Sequence, residues 1–527
     1  MLIKALRAFA FLALLLPGAW YAWEWRAMPH ASEYHDDGIY YVSAKSMADT
    51  GTFAIESLPK SPAQTKYPPL WPAVLSIAWR INPHYPDNLP IAMFLCWIWL
   101  PLSLFAFRQW LIRAEVSENV VLLLGAMWAL NPYVVLFSTA MLSEMQFTFL
   151  LLVSLLCLSK EKGSWALAAG VLAGLTFLSR TAGIALLPVA LLYFGMRMRF
   201  QQMAFFAAGM LPFVLGWGFW SFANKTPGTD AVTLYYTNYF GYYLSIFHWR
   251  EAHLYAWKNI DGMLHGLGAL LLPNITHSLL DKVLAESLAI AGIIGVSRMV
   301  KEKRESLYVP YAGFAAIYAA MLVFWHFPPT ERLMLPIAPL WLAGLYLELR
   351  KLGENIYKVF QKPETSQKVA GGIIGGLLAG ALLFCGWRQW ELLTDGLPQF
   401  YEEHAQRLEQ SEASMQFIRE KLPADARFLS ENDPLLYLRT GRQGSGLEMI
   451  LNTIHWYRED HAARTADHAE APAYARKHHL DYFLLNDWDY GRDMPNEEQQ
   501  KLLRSLRADG RLEQIFVSGS TAIYRVR

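Results

Sequence analysis

The strongest constraint on this chain is a series of eleven apolar runs, each near the length that crosses a bilayer. They cover residues 8–23, 89–111, 117–136, 144–158, 164–179, 181–196, 202–223, 281–299, 306–326, 331–347 and 369–390. A hydrocarbon layer offers backbone amides no hydrogen-bond partner, so such runs fold as spanning helices and polar residues are left to the connections. The basic residues sort those connections into two sets. Arg108 and Arg113, Lys160 and Lys162, Arg197 and Arg199, then Arg298, Lys301, Lys303 and Arg304, and finally Arg350, Lys351, Lys358, Lys362 and Lys368 fall on every second loop. Basic loops stay in the cytoplasm, which places the N-terminus inside, with Lys4 and Arg7, and the C-terminal tail outside. Pro17, Trp20 and Trp23 make a poor cleavage site, so the first run reads as an uncleaved anchor.

Charge divides the chain at about the end of the last run. Residues 391–527 hold 40 Asp, Glu, Lys and Arg in 137 positions, against 51 in the 390 that precede them, so the overall +1 conceals +7 and −6. The expected fold is an α-helical polytopic membrane protein of about 11 spans over residues 1–390, with a large first outer loop, 26–88, carrying surface helices. A soluble extracytoplasmic α/β domain, 391–527, follows. In that tail the pattern predicts helices over 399–421, 472–479 and 496–508 and strands over 426–430, 481–486, 512–518 and 521–526. No basic field points to nucleic acid. Cys96, Cys157 and Cys385 all lie in apolar runs, as small packing residues, and neither a disulfide framework nor a Cys-based metal site is available. Gly371, Gly372, Gly375 and Gly376 in the last run are expected to allow close helix packing.

The outer loops hold the unusual residues. Asp36 and Asp37 start a helical pattern continued by Tyr40, Tyr41, Ala44, Met47 and Ala48. Acids at such a place commonly cap the helix and favour its dipole. The alternative is a general base, taking a proton from an acceptor hydroxyl at the membrane surface. Further on, Thr65-Lys66-Tyr67-Pro68-Pro69-Leu70-Trp71-Pro72 leads into a helix over 71–79 too short to span. Lys66 either snorkels toward lipid headgroups or neutralises a phosphate. Arg180 and Arg332 are further cations near membrane depth. Such charges carry a partner or a purpose, and Asp36, Asp37, Glu144 and Glu331 are the partners on offer. Glu144 either orients a substrate hydroxyl or anchors Arg180. The loop 224–280 is rich in tyrosine and tryptophan, among them Tyr235, Tyr236, Tyr239, Tyr242, Tyr243, Trp249, Tyr255 and Trp257, and most read as an interfacial belt. His248, His253, His265 and His277 show no metal-ligand spacing. Asn224-Lys225-Thr226 and Asn274-Ile275-Thr276 fit the N-glycosylation pattern, which short sequences meet by chance.

The anchor, the acidic pair followed by Tyr, the Lys66-Tyr67-Pro68-Pro69-Leu70-Trp71-Pro72 segment, Leu142-Ser143-Glu144, Ser179-Arg180-Thr181 and Glu331-Arg332-Leu333 come in an order that resembles the polytopic glycosyltransferases of the C superfamily. The resemblance is to the group of protein O-mannosyltransferases, aminoarabinose transferases and lipopolysaccharide-core sugar transferases, and it spans the membrane block. It implies a sugar taken from a polyprenyl-phosphate donor on the outer face and given, with inversion, to a hydroxyl of a lipid, glycan or protein. It implies Asp36 as the catalytic base, with Asp37 standing where relatives often carry Glu, so the division of labour between them stays open. Lys66, Arg332, Arg180, Tyr67 and Glu144 become the substrate-binding set. No cofactor is required, although paired Asp36 and Asp37 can bind a divalent cation. The expected location is a bacterial inner or plasma membrane. The competing function is a transporter or flippase for a lipid-linked or anionic substrate, which would also need cations at membrane depth.

Overall fold

The computed structural model describes residues 2–226, 231–273, 278–302, 307–360, 365–446, 453–487, 490–491 and 494–527. The Asn274 acceptor pattern, His277, Lys303, Arg304 and Lys362 lie outside the described residues. Each of the eleven apolar runs is helical. Among the described residues six helices are long and apolar enough to cross a bilayer alone: Ala5–Glu24, Leu89–Arg113, Phe200–Ala223, Leu279–Glu302, Glu331–Val359 and Val369–Lys421. The chain is an integral membrane protein. A further run is broken, Glu118–Ala129 and Pro132–Ser138 meeting at 60°. The break follows from Pro132, which has no N–H to continue the ladder, and from Asn131, whose side chain accepts from the N–H groups of Tyr133 and Val134. The other four, Glu144–Leu158, Gly163–Ser179, Thr181–Gly195 and Tyr308–Val323, are short. Ser143, Glu144 and Ser179 are buried, so the start of Glu144–Leu158 and the end of Gly163–Ser179 lie in protein, not lipid.

Close helix approach is built at Gly170 and Gly209, and not at Gly375 or Gly376 of the last span. A Cβ on Gly170 would stand 2.1 Å from the Phe206 carbonyl oxygen, and one on Gly209 2.6 Å from that of Leu167, where Gly163–Ser179 crosses Phe200–Ala223. The last span instead presents much of its surface outward. Gly376 has nothing within 4 Å of a built Cβ and Gly375 only Ile356 at 3.5 Å. A small-residue pattern records that a helix can be approached, and the packing partner decides whether it is.

The first outer loop is folded back into the protein. Its two expected helices form as Asp36–Asp49 and Leu70–Ile81. They are joined where the Trp79 indole donates to the Tyr41 carbonyl at 3.2 Å, and Trp71 donates to that of Met141 at 2.8 Å.

The last span does not stop at residue 391. Val369–Lys421 is one helical run that carries the chain from the apolar block into the tail, with a π turn at Leu392–Gly396. The tail strands, β1 (Arg427–Leu429), β2 (Gln443–Ser445), β3 (Tyr482–Asn486), β4 (Leu512–Ser518) and β5 (Thr521–Val526), form one sheet in the order β2-β1-β3-β5-β4. β1 is parallel to β2 and β3, while β5 runs antiparallel to β3 and β4. The four strands expected from apolar pattern are present. β2, whose three residues are Gln, Gly and Ser, and the helix Asp433–Thr440 that leads to it, carry no such pattern.

Candidate active site at the meeting of helix ends

Asp36 and Asp37 occupy the first turn of Asp36–Asp49, yet neither caps it, since the helix start has no side-chain cap. Consecutive helical residues point about 100° apart, and here they serve different surroundings. Asp37 is fully buried, its two oxygens accepting the backbone N–H groups of Ser32 at 2.8 Å and Tyr34 at 3.1 Å. Asp36 is partly exposed in the cluster, where its carboxylate accepts from Arg332 Nη2 at 2.9 Å and from the Tyr67 hydroxyl.

Lys66 and Tyr67 come from an extended segment pinned on both sides. Gln64 Oε1 accepts from the N–H groups of Lys66 at 3.0 Å and Tyr67 at 3.1 Å. Trp220 and Ser221 hold the carbonyls of Gln64 and Thr65. The Lys66 ammonium stands among tyrosine rings, 3.1 Å from the centroid of Tyr235, 4.5 Å from Tyr67, 5.1 Å from Tyr239 and 5.7 Å from Tyr236. Among the described residues no carboxylate lies at ion-pair distance from it. It does not snorkel, and ring quadrupoles solvate it in place of water. The two arginines are paired. Glu144 Oε1 accepts from both Arg180 and Arg332, so this buried carboxylate joins three stretches of chain. Glu144 Oε2 is buried without a hydrogen-bond partner among the described residues. Arg180 also reaches Ser143 Oγ at 3.5 Å, which Tyr40 meets at 3.3 Å.

The electrostatics separate the two acids. Burial works to raise the Asp36 carboxyl, but the charges of Arg332 and Lys66 and the hydrogen bonds from Tyr67 and Arg332 outweigh it, holding the group well below the usual carboxylate range. Burial dominates at Asp37, which is pushed up to about 7 although the Ser32 N–H and Arg332 oppose it. Burial also draws Lys66 down to about 7, against the pull of Asp36.

All the expected residues except Asp37 meet in one cluster. The sequence singles out none of the tyrosines that complete it for the site, and they come from the aromatic run most of which reads as an interfacial belt. That assignment fails for Tyr235, Tyr236, Tyr242 and Tyr255, which are buried, while Trp249 and Trp257 are exposed as a belt would be. Aromatic composition is the same in both cases, and only packing distinguishes them, against Lys66 for Tyr235 and Tyr236 and against Phe247 and Tyr457 for Tyr255. Among the described residues no three His, Cys, Asp or Glu side chains converge as a metal site would require.

Between Phe200–Ala223 and the tail lies a cleft of about 1300 Å³. Phe213, Trp217 and Trp220 of Phe200–Ala223 form its apolar wall, and Arg427, Tyr437 and Gln443 of the tail its polar one. Pro69 and Leu178 also line it, close along the chain to Tyr67 and Arg180.

No family model matches the chain, nor does any curated protein. Solved structures do. Over 98% of this chain and 74% of the other, it aligns at TM-score 0.54 and 12% identity with the archaeal oligosaccharyltransferase AglB from Archaeoglobus fulgidus, in complex with an inhibitory peptide and a dolichol-phosphate. The chain has the fold of that oligosaccharyltransferase. The apo form of the Archaeoglobus fulgidus oligosaccharyltransferase aligns over 91% of this chain and 70% of its own, at TM-score 0.53 and 13% identity. ArnT from Cupriavidus metallidurans, bound to undecaprenyl phosphate, aligns over 93% of both chains at TM-score 0.49 and 12% identity.

Proposed function

We propose that this protein is a membrane glycosyltransferase that moves a sugar from a polyprenyl-phosphate donor to an acceptor hydroxyl on the extracytoplasmic face, with inversion. The observation that carries the reading is the convergence of Asp36, Lys66, Tyr67, Glu144, Arg180 and Arg332, drawn from four distant stretches of sequence, at helix ends next to the loops poor in Lys and Arg. Its fold is shared with AglB, a structure that holds a dolichol-phosphate.

In this reading Asp36, kept ionised at neutral pH, takes the proton of the acceptor hydroxyl. The acceptor oxygen bonds to the anomeric carbon as the bond from that carbon to the phosphate oxygen breaks, and the polyprenyl phosphate leaves with the electron pair. The donor phosphate carries one negative charge and the departing one gains a second, so cations set beside it stabilise the transition state more than the ground state. Lys66 and Arg332 supply them. Lys66, ringed by tyrosines and without a carboxylate partner among the described residues, offers an unneutralised charge to the donor. Glu144 holds both arginines in place, and its buried second oxygen accepts a hydroxyl of the sugar. Asp37 anchors the turn before the helix. Both its oxygens accept backbone N–H groups, while Asp36 turns to Arg332. The cleft, apolar toward the membrane helix and polar toward the tail, suits an amphipathic substrate.

The test is turnover of the purified full chain with polyprenyl-phosphate sugars. Asp36→Asn should lose about 10²- to 10⁴-fold in rate, the range of a general base. Unchanged turnover would remove Asp36 from that role. Movement of the carrier across vesicles without sugar transfer would instead identify a transporter.

A further inference from the structure

The turn that delivers Asp36 is strained, and the C-terminal domain holds it. Three non-glycine residues just before the helix adopt left-handed backbone, Met28 at φ 47°, Ser32 at φ 71° and His35 at φ 58°. Such conformations persist only where the surroundings over-determine them, and they cluster at functional sites. Asp37 supplies part of the restraint through the Ser32 and Tyr34 amides. The rest comes from about 400 residues away along the chain.

Asn432 clamps Ser32 with both ends of its amide. Its Oδ1 accepts from Ser32 Oγ at 2.7 Å and its Nδ2 donates to the Ser32 carbonyl at 2.8 Å. The same Oδ1 accepts from the N–H of Leu435 at 3.1 Å, so the clamp is built into the start of the helix Asp433–Thr440. Asp433 is fully buried, with Oδ1 at 3.0 Å from His35 Nε2. The His35 ring also lies within 3.2 Å of the Tyr236 hydroxyl, and Tyr236 belongs to the rings around Lys66. From the long helix, His404 Nε2 stands 2.8 Å from Glu33 Oε2. The fit leaves no slack: a Cβ on Gly38 would come within 2.7 Å of Pro434 Cβ.

We propose that Asn432 and Asp433 are positioning residues of the active site. Through Ser32 and His35 they hold residues 32–35 in the turn that aims Asp36 at Arg332 and Tyr67, so these two residues of the C-terminal domain act on the reaction without touching the reacting atoms. The inference rests on the reading of Asp36 as the base. Misplacing a reacting group by roughly 1 Å costs up to about a hundredfold in rate, which is the scale of effect expected.

Backbone hydrogen exchange of the purified full chain tests the coupling without any substrate. In Asn432→Ala and Asp433→Ala the amides of residues 32–38 should exchange about tenfold faster or more, with the β3 amides unchanged. Unchanged exchange at 32–38 in both variants overturns the inference. With undecaprenyl-phosphate hexose and pentose donors, both variants should lower kcat by about tenfold or more at an unaltered donor KM. Asp433→Asn, which keeps an oxygen for His35, should recover most of the loss. Full kcat in both alanine variants while Asp36→Asn is inactive sinks this inference alone. Full turnover in Asp36→Asn sinks the base assignment, whatever the exchange shows.

Discussion

Lys66 keeps a cation where burial disfavours one, and this makes its charge responsive to pH. Burial draws its pKa down to about 7, so it is charged below that pH and neutral above it. An anion bound alongside favours the charged form and raises the value again. Affinity for a phosphate is therefore fully present below about pH 7 and falls as pH rises toward the bound-state value, by up to tenfold per pH unit. The dissociation constant of a polyprenyl phosphate methyl ester, whose single charge does not titrate in this range, should weaken over that interval in the wild type. Lys66→Arg should be flat, because a guanidinium stays protonated; a slope of the wild-type size in that variant would assign the titration to another group. Asp36 and Asp37 make the second case at this scale. Asp37→Asn keeps an oxygen for one of the two amides that Asp37 serves, so it should retain at least about tenfold more turnover than Asp36→Asn. The opposite order in a side-by-side rate measurement would exchange the two roles.

Among the elements, the crossing of Gly163–Ser179 with Phe200–Ala223 is set by contact of backbone with backbone. A methyl group at Gly170 has the Phe206 carbonyl 2.1 Å away and no flexible side chain to displace. Gly170→Ala should cost about 1–3 kcal/mol, as overpacking does, and lower the melting temperature in detergent, whereas Gly376→Ala should leave it unchanged or raise it. Equal melting of the two variants would mean the helices do not approach as described. The crossing matters to the site because Gly163–Ser179 ends at Arg180 and Phe200–Ala223 carries Trp220 and Ser221, which pin the carbonyls before Lys66.

Across the whole molecule, the continuous helix Val369–Lys421 removes the clean border expected at residue 391. The change of composition there marks where the helix leaves its apolar surroundings, while the hydrogen-bond ladder runs on. Contacts with the rest of the chain place the tail over the first loop, where Tyr437 donates to Glu56 at 2.8 Å and Gln443 to the Glu56 carbonyl at 3.1 Å, while Tyr401 of the long helix meets Thr139 at 2.7 Å. Sidedness is checked by cysteine labelling. Thr330→Cys, at an exposed position, should react with an impermeant reagent from outside, and Glu161→Cys only after the inner face is opened. The three native cysteines are buried. Ser143, although in an expected outer loop, is buried and would not report. Labelling in the reverse order would invert the topology and put the cluster on the cytoplasmic side.

By itself the sequence determined the apolar runs, their alternation with basic loops, the apolar strands of the tail and the identity of the charged residues of the cluster. These follow from solvent preference, which acts residue by residue and leaves a local pattern. Only the tertiary structure decided which acid faces Arg332, that Glu144 serves two arginines, that tyrosines of the loop 224–280 surround Lys66 instead of lying at the interface, and that Asn432 and Asp433 hold the turn before Asp36. Each of these depends on where distant segments meet. A hydrogen bond across 400 residues leaves no periodicity in either partner, and an Asn beside an Asp reads equally well as an ordinary helix start.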